Sequence, residues 1–372
     1  MQCTTRSFPE LISSFLKGKI AELEGSCGPE SRQYKSIARQ FFYNPAEKES
    51  ERSHWRLRHY DADMKTGEDT EALLGVERLY RRTMLLELTT FCFSHCRWCL
   101  RSNYQRFTLR KEQIVNNIAL AGSREARDTV REILITGGDP LINTQILDFA
   151  LDEIARSAPN IEIIRIGTRA FSHHPKQVDN ELVQMFAKHQ RNFRLEIGTQ
   201  INSPVEFWPE SVDAMHRIQD LGITIYTQNV LLKGVNDDLE TLVELYDECR
   251  RHAIEAHYLF HCVPMRGMEH HRTSVAKGLA LISRLTAGGY ISGRSKPTFT
   301  VMTDIGKITL YEGSILQRRE KTQEAQLQSS YSLKERQAYN PGFQLPDSAE
   351  VDEQGYLTVW YPDGKDDNFW GD

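Results

Sequence analysis

The sequence places three cysteines in one short segment, Cys92-x-x-x-Cys96-x-x-Cys99, just after the apolar run Met84-Leu85-Leu86-Glu87-Leu88. A [4Fe–4S] cube needs four ligands, and thiolates usually supply them. Three thiolates in one loop leave one iron open, and an open iron can bind a small molecule and hand it an electron. Zinc is the competing reading, because His95 lies inside the loop and offers a fourth ligand. Structural zinc sites usually use two separated pairs of ligands, which this loop does not provide. On that alternative the chain is a non-enzymatic zinc or iron–sulfur structural protein.

A second motif, Thr136-Gly137-Gly138-Asp139-Pro140, follows about 40 residues later. Paired glycines let a backbone approach a ligand closely, since no Cβ intervenes. The cysteine loop and this turn together resemble the radical S-adenosylmethionine (SAM) enzymes, in which such a turn receives the amino group of SAM. Over about residues 75–302 the resemblance narrows to the lysine 2,3-aminomutase family. It is carried by Cys92…Cys99-Leu100-Arg101, Gly137-Gly138-Asp139-Pro140-Leu141 and Arg165-Ile166-Gly167-Thr168-Arg169. It continues through Asn229-Val230-Leu231-Leu232-Lys233-Gly234-Val235-Asn236-Asp237, Gly267-Met268-Glu269-His270-His271-Arg272-Thr273 and Pro297-Thr298-Phe299.

In that family the reduced cluster splits SAM into methionine and a 5′-deoxyadenosyl radical, which takes a hydrogen from the substrate's β-carbon. An amino group held on pyridoxal phosphate (PLP) then moves to the neighbouring carbon, and SAM is re-formed. The resemblance implies Cys92, Cys96 and Cys99 as cluster ligands and places Trp98 near the adenine. It implies Gly137, Gly138, Asp139 and Pro140 as the SAM turn, with Thr199, Gln200, Asn202 and Gln228 helping to hold SAM. Arg101 matches the arginine for the substrate carboxylate, a pairing that two parallel hydrogen bonds favour. A small-molecule substrate and an electron donor such as flavodoxin or ferredoxin follow from the same chemistry. His270 and His271 read as loop residues of the family motif, not as metal ligands.

The departures from the family bear on substrate and cofactor. Lysine 2,3-aminomutases place two aspartates to receive the terminal ammonium of lysine. Here those substrate-facing positions hold Val263 and Met302. Neither can pair with an ammonium, and burying one unpaired is costly. Lysine is therefore disfavoured unless Asp304 shifts into the second place. The PLP lysine of the family follows four glycines. Here Thr303-Asp304-Ile305-Gly306-Lys307 carries one, and Lys307 is the candidate anchor. The phosphate-binding segment is altered too: Leu79 precedes Tyr80 and Thr83 stands where a second arginine belongs, with Arg78, Arg81 and Arg82 nearby. These changes favour an enzyme that abstracts hydrogen from an amino acid or related metabolite without PLP. A PLP-dependent 2,3-aminomutase anchored at Lys307 stays open.

The elements that must position these residues are legible as periodicity. Short β-rich runs are expected at 83–90, 132–136, 161–167, 193–198, 223–230 and 256–262. Helical stretches lie between and after them near 111–122, 143–156, 178–188, 208–220, 238–252 and 274–287, with Asn143 and Asn236 placed as N-caps. Six β-then-α units predict an α/β fold, a partial (βα)6 barrel of TIM type with chemistry at the C-terminal strand ends. The expected organisation is an N-terminal helical extension over 1–82, the barrel over 83–302 and a C-terminal extension over 303–372. In the first, 9–24 and 31–42 read as helical and 48–70 as loop-like. In the last, 315–350 reads as a polar, mobile linker, followed by a strand at 356–361, a turn at Pro362-Asp363-Gly364 and an acidic, aromatic tail at 366–372.

The chain has 372 residues and a net charge of −5, so no basic field points to a nucleic acid. No apolar run approaches the roughly 18 residues of a membrane span, and the N-terminus lacks a signal-peptide pattern. Seven cysteines, three of them clustered, argue for a reducing, cytoplasmic setting and a metal site. None follows Cys262, so the C-terminal zinc cysteines of some family members are absent. A homodimer is left open.

Overall fold

The computed structural model describes residues 9–48, 74–78, 80–101, 106–265, 267–287, 290–311 and 314–364. The expected loop at 48–70 falls almost wholly outside this set, as do Leu79 and the tail at 366–372.

Strand follows strand in chain order across a nine-stranded sheet. Val76–Glu77 (β1) pairs antiparallel with Thr83–Thr89 (β2). Parallel pairing then runs unbroken through Glu132–Gly137 (β3), Ile163–Gly167 (β4), Arg194–Thr199 (β5), Thr224–Leu231 (β6), Glu255–His261 (β7) and Thr298–Thr303 (β8). Gly306–Thr309 (β9) folds back antiparallel on β8. Helices fall where the 3.6-residue period places them: Lys111–Ala121, Thr144–Ser157, Asn180–His189, Pro209–Gln219, Leu239–Arg251 and Val275–Ala287. Consecutive parallel strands joined by helical crossovers curl into a partial TIM-type barrel. Every residue of β2 is buried, as a parallel strand covered on both faces requires.

Two corrections concern this frame. The sheet has a seventh parallel strand, β8, at the Pro-Thr-Phe motif. And Asn236 is not a helix cap. Asp238 caps the helix by accepting from Thr241 N at 2.8 Å. Asn236 is instead buried behind the end of β6, donating to Val230 O at 2.9 Å and accepting from Leu232 N at 2.7 Å. Asn143 does cap its helix, accepting from Ile146 N at 3.1 Å.

The N-terminal segment clasps the cysteine loop. Its helices are Ser14–Cys27 (α1), capped by Ser13, and Arg32–Phe41 (α2), capped by Ser31. Ser13 N donates to Ser94 Oγ at 2.9 Å, His95 N to Leu11 O at 2.8 Å and Arg97 N to Gln40 O at 3.0 Å. The buried Arg97 also pairs with Glu47.

Residues 315–350, expected as a mobile linker, are ordered. They carry Ile315–Arg319 (β10), Glu324–Ser332 (β11), a helix at Leu333–Tyr339 and Ala349–Val351 (β12). With the expected terminal strand, Tyr356–Pro362 (β13), these form a four-stranded antiparallel sheet in the order β10-β11-β13-β12. Its polar composition hides an alternation: Ala325, Leu327, Leu357, Val359 and Tyr361 enter the main core while their neighbours face outward or meet the sheet's other face. Tyr361 Oη lies 2.8 Å from His261 Nδ1, and Arg272 donates to both Cys262 O and Pro362 O, so this sheet is tied to the end of β7.

Candidate active site

The C-terminal ends of the parallel strands surround a cavity of about 340 Å³. Cys92, Cys96, Trp98, Cys99 and Arg101 line it from the loop after β2, and Gly137, Gly138 and Asp139 from the turn after β3. Thr199 and Gln200 reach it from the end of β5, Gln228 from β6 and Val263 from beyond β7. Met302 and Lys307 complete it from the β8–β9 hairpin, where they face each other in register. Pro140 and Asn202 stand behind the wall and do not line it. Asn202 is consumed structurally: its Oδ1 accepts from Val230 N at 2.8 Å, its Nδ2 donates to Gln40 at 3.3 Å and its N–H to Glu206 at 2.9 Å. It braces the strand ends, so the SAM contact expected of its side chain is withdrawn.

The Gly-Gly turn has a steric origin. Gly137 holds φ at +127°, and a Cβ there would stand 2.1 Å from Thr89 O. A Cβ on Gly138 would stand 2.1 Å from Phe91 O. The turn is sewn to the strand entering the cysteine loop, with Gly138 N donating to Thr89 O at 2.6 Å and Asp139 N to Phe91 O at 2.7 Å. Asp139 accepts from Leu141 N at 3.1 Å, Arg169 N at 2.9 Å and the Thr168 hydroxyl at 2.8 Å. Burial pushes its carboxyl up to about 6 against those donors.

All three loop cysteines are free thiols. Burial raises each, Cys99 to about 11 and Cys92 well above its ordinary range; neighbouring thiolates add to it for Cys92 and Cys99, while Arg169 opposes it for Cys96. Metal ligation is what stabilises the thiolate in such a place. One zinc ion, with Zn–S near 2.3 Å, would draw its sulfurs to within about 4 Å of each other. Among the described residues the only three potential ligands all within 4.8 Å of one another are Asp148, Asp152 and His189, so at least one pair of the three sulfurs stands wider than that. His95 Nδ1, the fourth zinc ligand on the competing reading, is engaged 2.7 Å from Pro9 O. Thr199 Oγ1 is buried at the cavity with no hydrogen-bond partner among the described residues, an acceptor and donor left for a ligand. The donor set and the glycine cradle thus fit a [4Fe–4S] cluster and SAM.

Sequence reasoning quoted Arg169 within a motif without giving it a task. Its Nη1 lies 2.9 Å from Cys96 Sγ, its Nη2 2.7 Å from the buried Glu206, and its guanidinium centre 5.2 Å from the Trp98 ring centroid. Glu87 was passed over as part of an apolar run. It is 3% exposed and pairs with Arg101, whose Nε and Nη2 both meet its Oε1. A charged residue inside an otherwise apolar strand was the signal.

On the opposite wall Lys307 Nζ sits 4.2 Å from the Tyr258 ring centroid, 5.0 Å from Phe260 and 5.1 Å from Tyr80. Burial, and then the nearby Arg165, lower its amine to about 7. The arginines of the altered phosphate segment do not reach the cavity. Arg78 donates to Tyr80 O, Arg81 O and Thr129, while Arg81 and Arg82 are exposed. The amine of Lys307 thus stands in the cavity, while Arg78, Arg81 and Arg82 do not line it. Asp304 is buried in the β8–β9 turn, accepts from Ser348 Oγ at 3.0 Å and does not line the cavity. His270 and His271 lie in a short turn of 3-10 helix, and His271 packs on Trp98.

Comparison with known proteins agrees with this geometry. The Radical SAM superfamily model matches residues 86–246. The L-lysine 2,3-aminomutase of Bacillus subtilis (strain 168) is 32% identical over 264 residues, 69% of this chain and 54% of its own. A putative L-lysine 2,3-aminomutase of Aquifex aeolicus (strain VF5) is 35% identical over 63% of this chain and 62% of its own. The glutamate 2,3-aminomutase of Clostridioides difficile (strain 630) is 28% identical over 65% of this chain and 56% of its own. The chain thus spans little more than half the length of these curated relatives. With the cysteine loop, the glycine cradle and the curled parallel sheet in one place, it belongs to the radical SAM superfamily as a divergent relative of the 2,3-aminomutases.

Proposed function

We propose that the protein is a radical SAM enzyme acting on an amino acid or related small metabolite other than lysine, without PLP. When bound, the cluster supplies an electron that splits SAM, and the resulting 5′-deoxyadenosyl radical removes a hydrogen atom from the substrate. The chain's own residues bind, orient and shield. Cys92, Cys96 and Cys99 would hold the cluster, Gly137 and Gly138 would let the backbone approach SAM, and Thr199, Gln200, Gln228 and Trp98, which line the same cavity, would help to hold it. Val263, Met302, Phe260, Leu85 and Leu134 give the remaining wall an apolar surface that excludes water from a reactive radical.

The observation that carries this reading is the meeting of the cysteine loop and the Gly-Gly turn with Val263 and Met302 in one cavity. The radical chemistry follows from the first pair. The exclusion of lysine follows from the second, because no carboxylate stands at those positions. Names among the relatives include both lysine and glutamate aminomutases, so side-chain chemistry varies within this group. Anaerobic incubation with SAM, dithionite and deuterated candidate substrates tests it. Deuterium in 5′-deoxyadenosine with a substrate other than lysine is expected. An iron-loaded protein that leaves SAM intact would overturn the proposal.

A second reading, a PLP-dependent 2,3-aminomutase, is favoured by the caged Lys307 amine in the same cavity. Titrating PLP onto the holoenzyme separates the two. No saturable visible band is expected. A band lost in Lys307→Ala would put the second reading in place of the first.

A further inference from the structure

We infer that Arg169 sets how easily the cluster takes up its electron, by donating a hydrogen bond to the ligating sulfur of Cys96. The inference rests on the radical SAM reading above. Arg169 stands just past the end of β4 and lines the cavity. Its Nη1 lies 2.9 Å from Cys96 Sγ. Among the described residues no side chain donates to the sulfur of Cys92 or Cys99, so one ligand of the three is singled out. The ring of His173 stands farther off, with Nε2 4.0 Å from the same sulfur, and burial, with Arg169 beside it, keeps that ring uncharged. The charged donor to Cys96 is therefore Arg169.

The guanidinium is held in that aim. Its Nη2 donates to the buried Glu206 at 2.7 Å. Glu206 is fixed in turn by Gln40 Nε2 at 3.1 Å, Asn202 N at 2.9 Å and Ser203 N at 3.1 Å. The ring centroids of Phe41 and Trp98 lie 5.6 and 5.2 Å from the guanidinium carbon. Reduction adds negative charge that spreads onto the sulfurs, so a donor at a sulfur favours the reduced state and raises the potential. Glu206 offsets much of the arginine's charge and leaves the directed N–H as the main effect. One electron enters, the guanidinium keeps all its protons, and no bond of Arg169 breaks or forms.

A dye-mediated reductive titration of the anaerobic, cluster-loaded protein without SAM, followed by EPR, reads this directly. Two variants carry opposite expected signs. In Arg169→Lys an ammonium still faces Glu206 but lacks the fork that also reaches Cys96. Its cluster should be about tenfold harder to reduce, a midpoint about 59 mV lower for one electron. Glu206→Gln keeps the donor and removes the charge that offsets it, so its cluster should be about threefold or more easier to reduce. A side chain that only braced the loop would change iron content or melting, not give midpoints of opposite sign. Should one variant hold no cluster, the sign of the other decides. Should both fail, wild type grown on nitrogen-labelled arginine answers, through a nitrogen coupling in the ENDOR spectrum of the reduced cluster that survives Arg101→Lys. Reduction equilibria within about twofold of wild type, shifts of one sign, or no such coupling overturn the inference and leave the radical SAM reading standing. A wild-type protein that loads no redox-active cluster overturns that reading and the inference with it.

Discussion

On the cluster side of the cavity the side chains are cross-tied, whereas the opposite side is an apolar wall around one amine. Arg169 joins Cys96 to Glu206, and Glu206 in turn holds Gln40 of α2 and the backbone of Asn202 and Ser203. Arg101 and Glu87 pair beneath the glycine cradle. Across the cavity, Val263 and Met302 belong to one buried apolar cluster with Trp98, Val230 and Cys262, and Lys307 is surrounded by rings. A network of ion pairs admits few substitutions, because each partner removed strands another charge. An apolar wall accepts volume-conserving change at small cost. The two sides are therefore free to diverge at different rates: on the function proposed above, radical generation belongs to the first and substrate choice to the second.

Four measurements would break or sharpen that contrast. Replacing Cys96 by Ala should remove most of the iron and lower SAM cleavage by more than about 100-fold, since even indirect supports of a metal are worth that much. Iron content and methionine release report it, and a loaded, active variant would contradict the ligand assignment. Arg169→Met should destabilise the fold by about 3–5 kcal/mol by leaving Glu206 buried without its cation, seen in denaturant unfolding. The double variant Val263→Asp, Met302→Asp should bind L-lysine about tenfold more tightly than wild type, while SAM affinity stays within about twofold. If SAM binding falls instead, the two walls are not separable.

The smallest effect concerns Lys307, whose amine is lowered from 10.5 to about 7. Below about pH 7 both folded and unfolded chains carry the charge, and the folded one bears the cost of burying it. From about pH 7 to 10.5 the folded chain has released the proton that the unfolded chain still holds, so this lysine's contribution to stability rises with pH. Lys307→Met should therefore melt higher than wild type near pH 6 and lose about 1–2 °C of that advantage by pH 9. A constant difference would place the amine in water.

Strand and helix periodicity made the first six βα units readable, because parallel strands buried on both faces repeat the same apolar signature. The seventh strand, Thr298–Thr303, reads as a motif because threonines break its apolar run and its partner β9 folds straight back without a helix. Residues 315–350 read as linker because their strands are largely polar, and only alternation at Ala325 and Leu327 marks them, whereas the strand at 356–361 is legible. At the site, the cysteines and glycines were legible because their chemistry and conformation admit few alternatives. Asn202 and Asn236 were not, since an amide can serve a ligand or the backbone equally well, and spacing does not say which. Arg169 needed the structure to show that its guanidinium meets both Cys96 and Glu206.

The four-stranded sheet at the C-terminus has a consequence for how this protein could be re-engineered. Its last strand grips His261 and, through Arg272, the carbonyl of Cys262, one residue before Val263. The selective face of the pocket is thus suspended from the tail, while the radical generator hangs from the opposite terminus by α1 and α2. Grafting the final sixty or so residues from a relative would exchange the strap behind the end of β7 and leave Val263, Met302 and the cysteine loop in place.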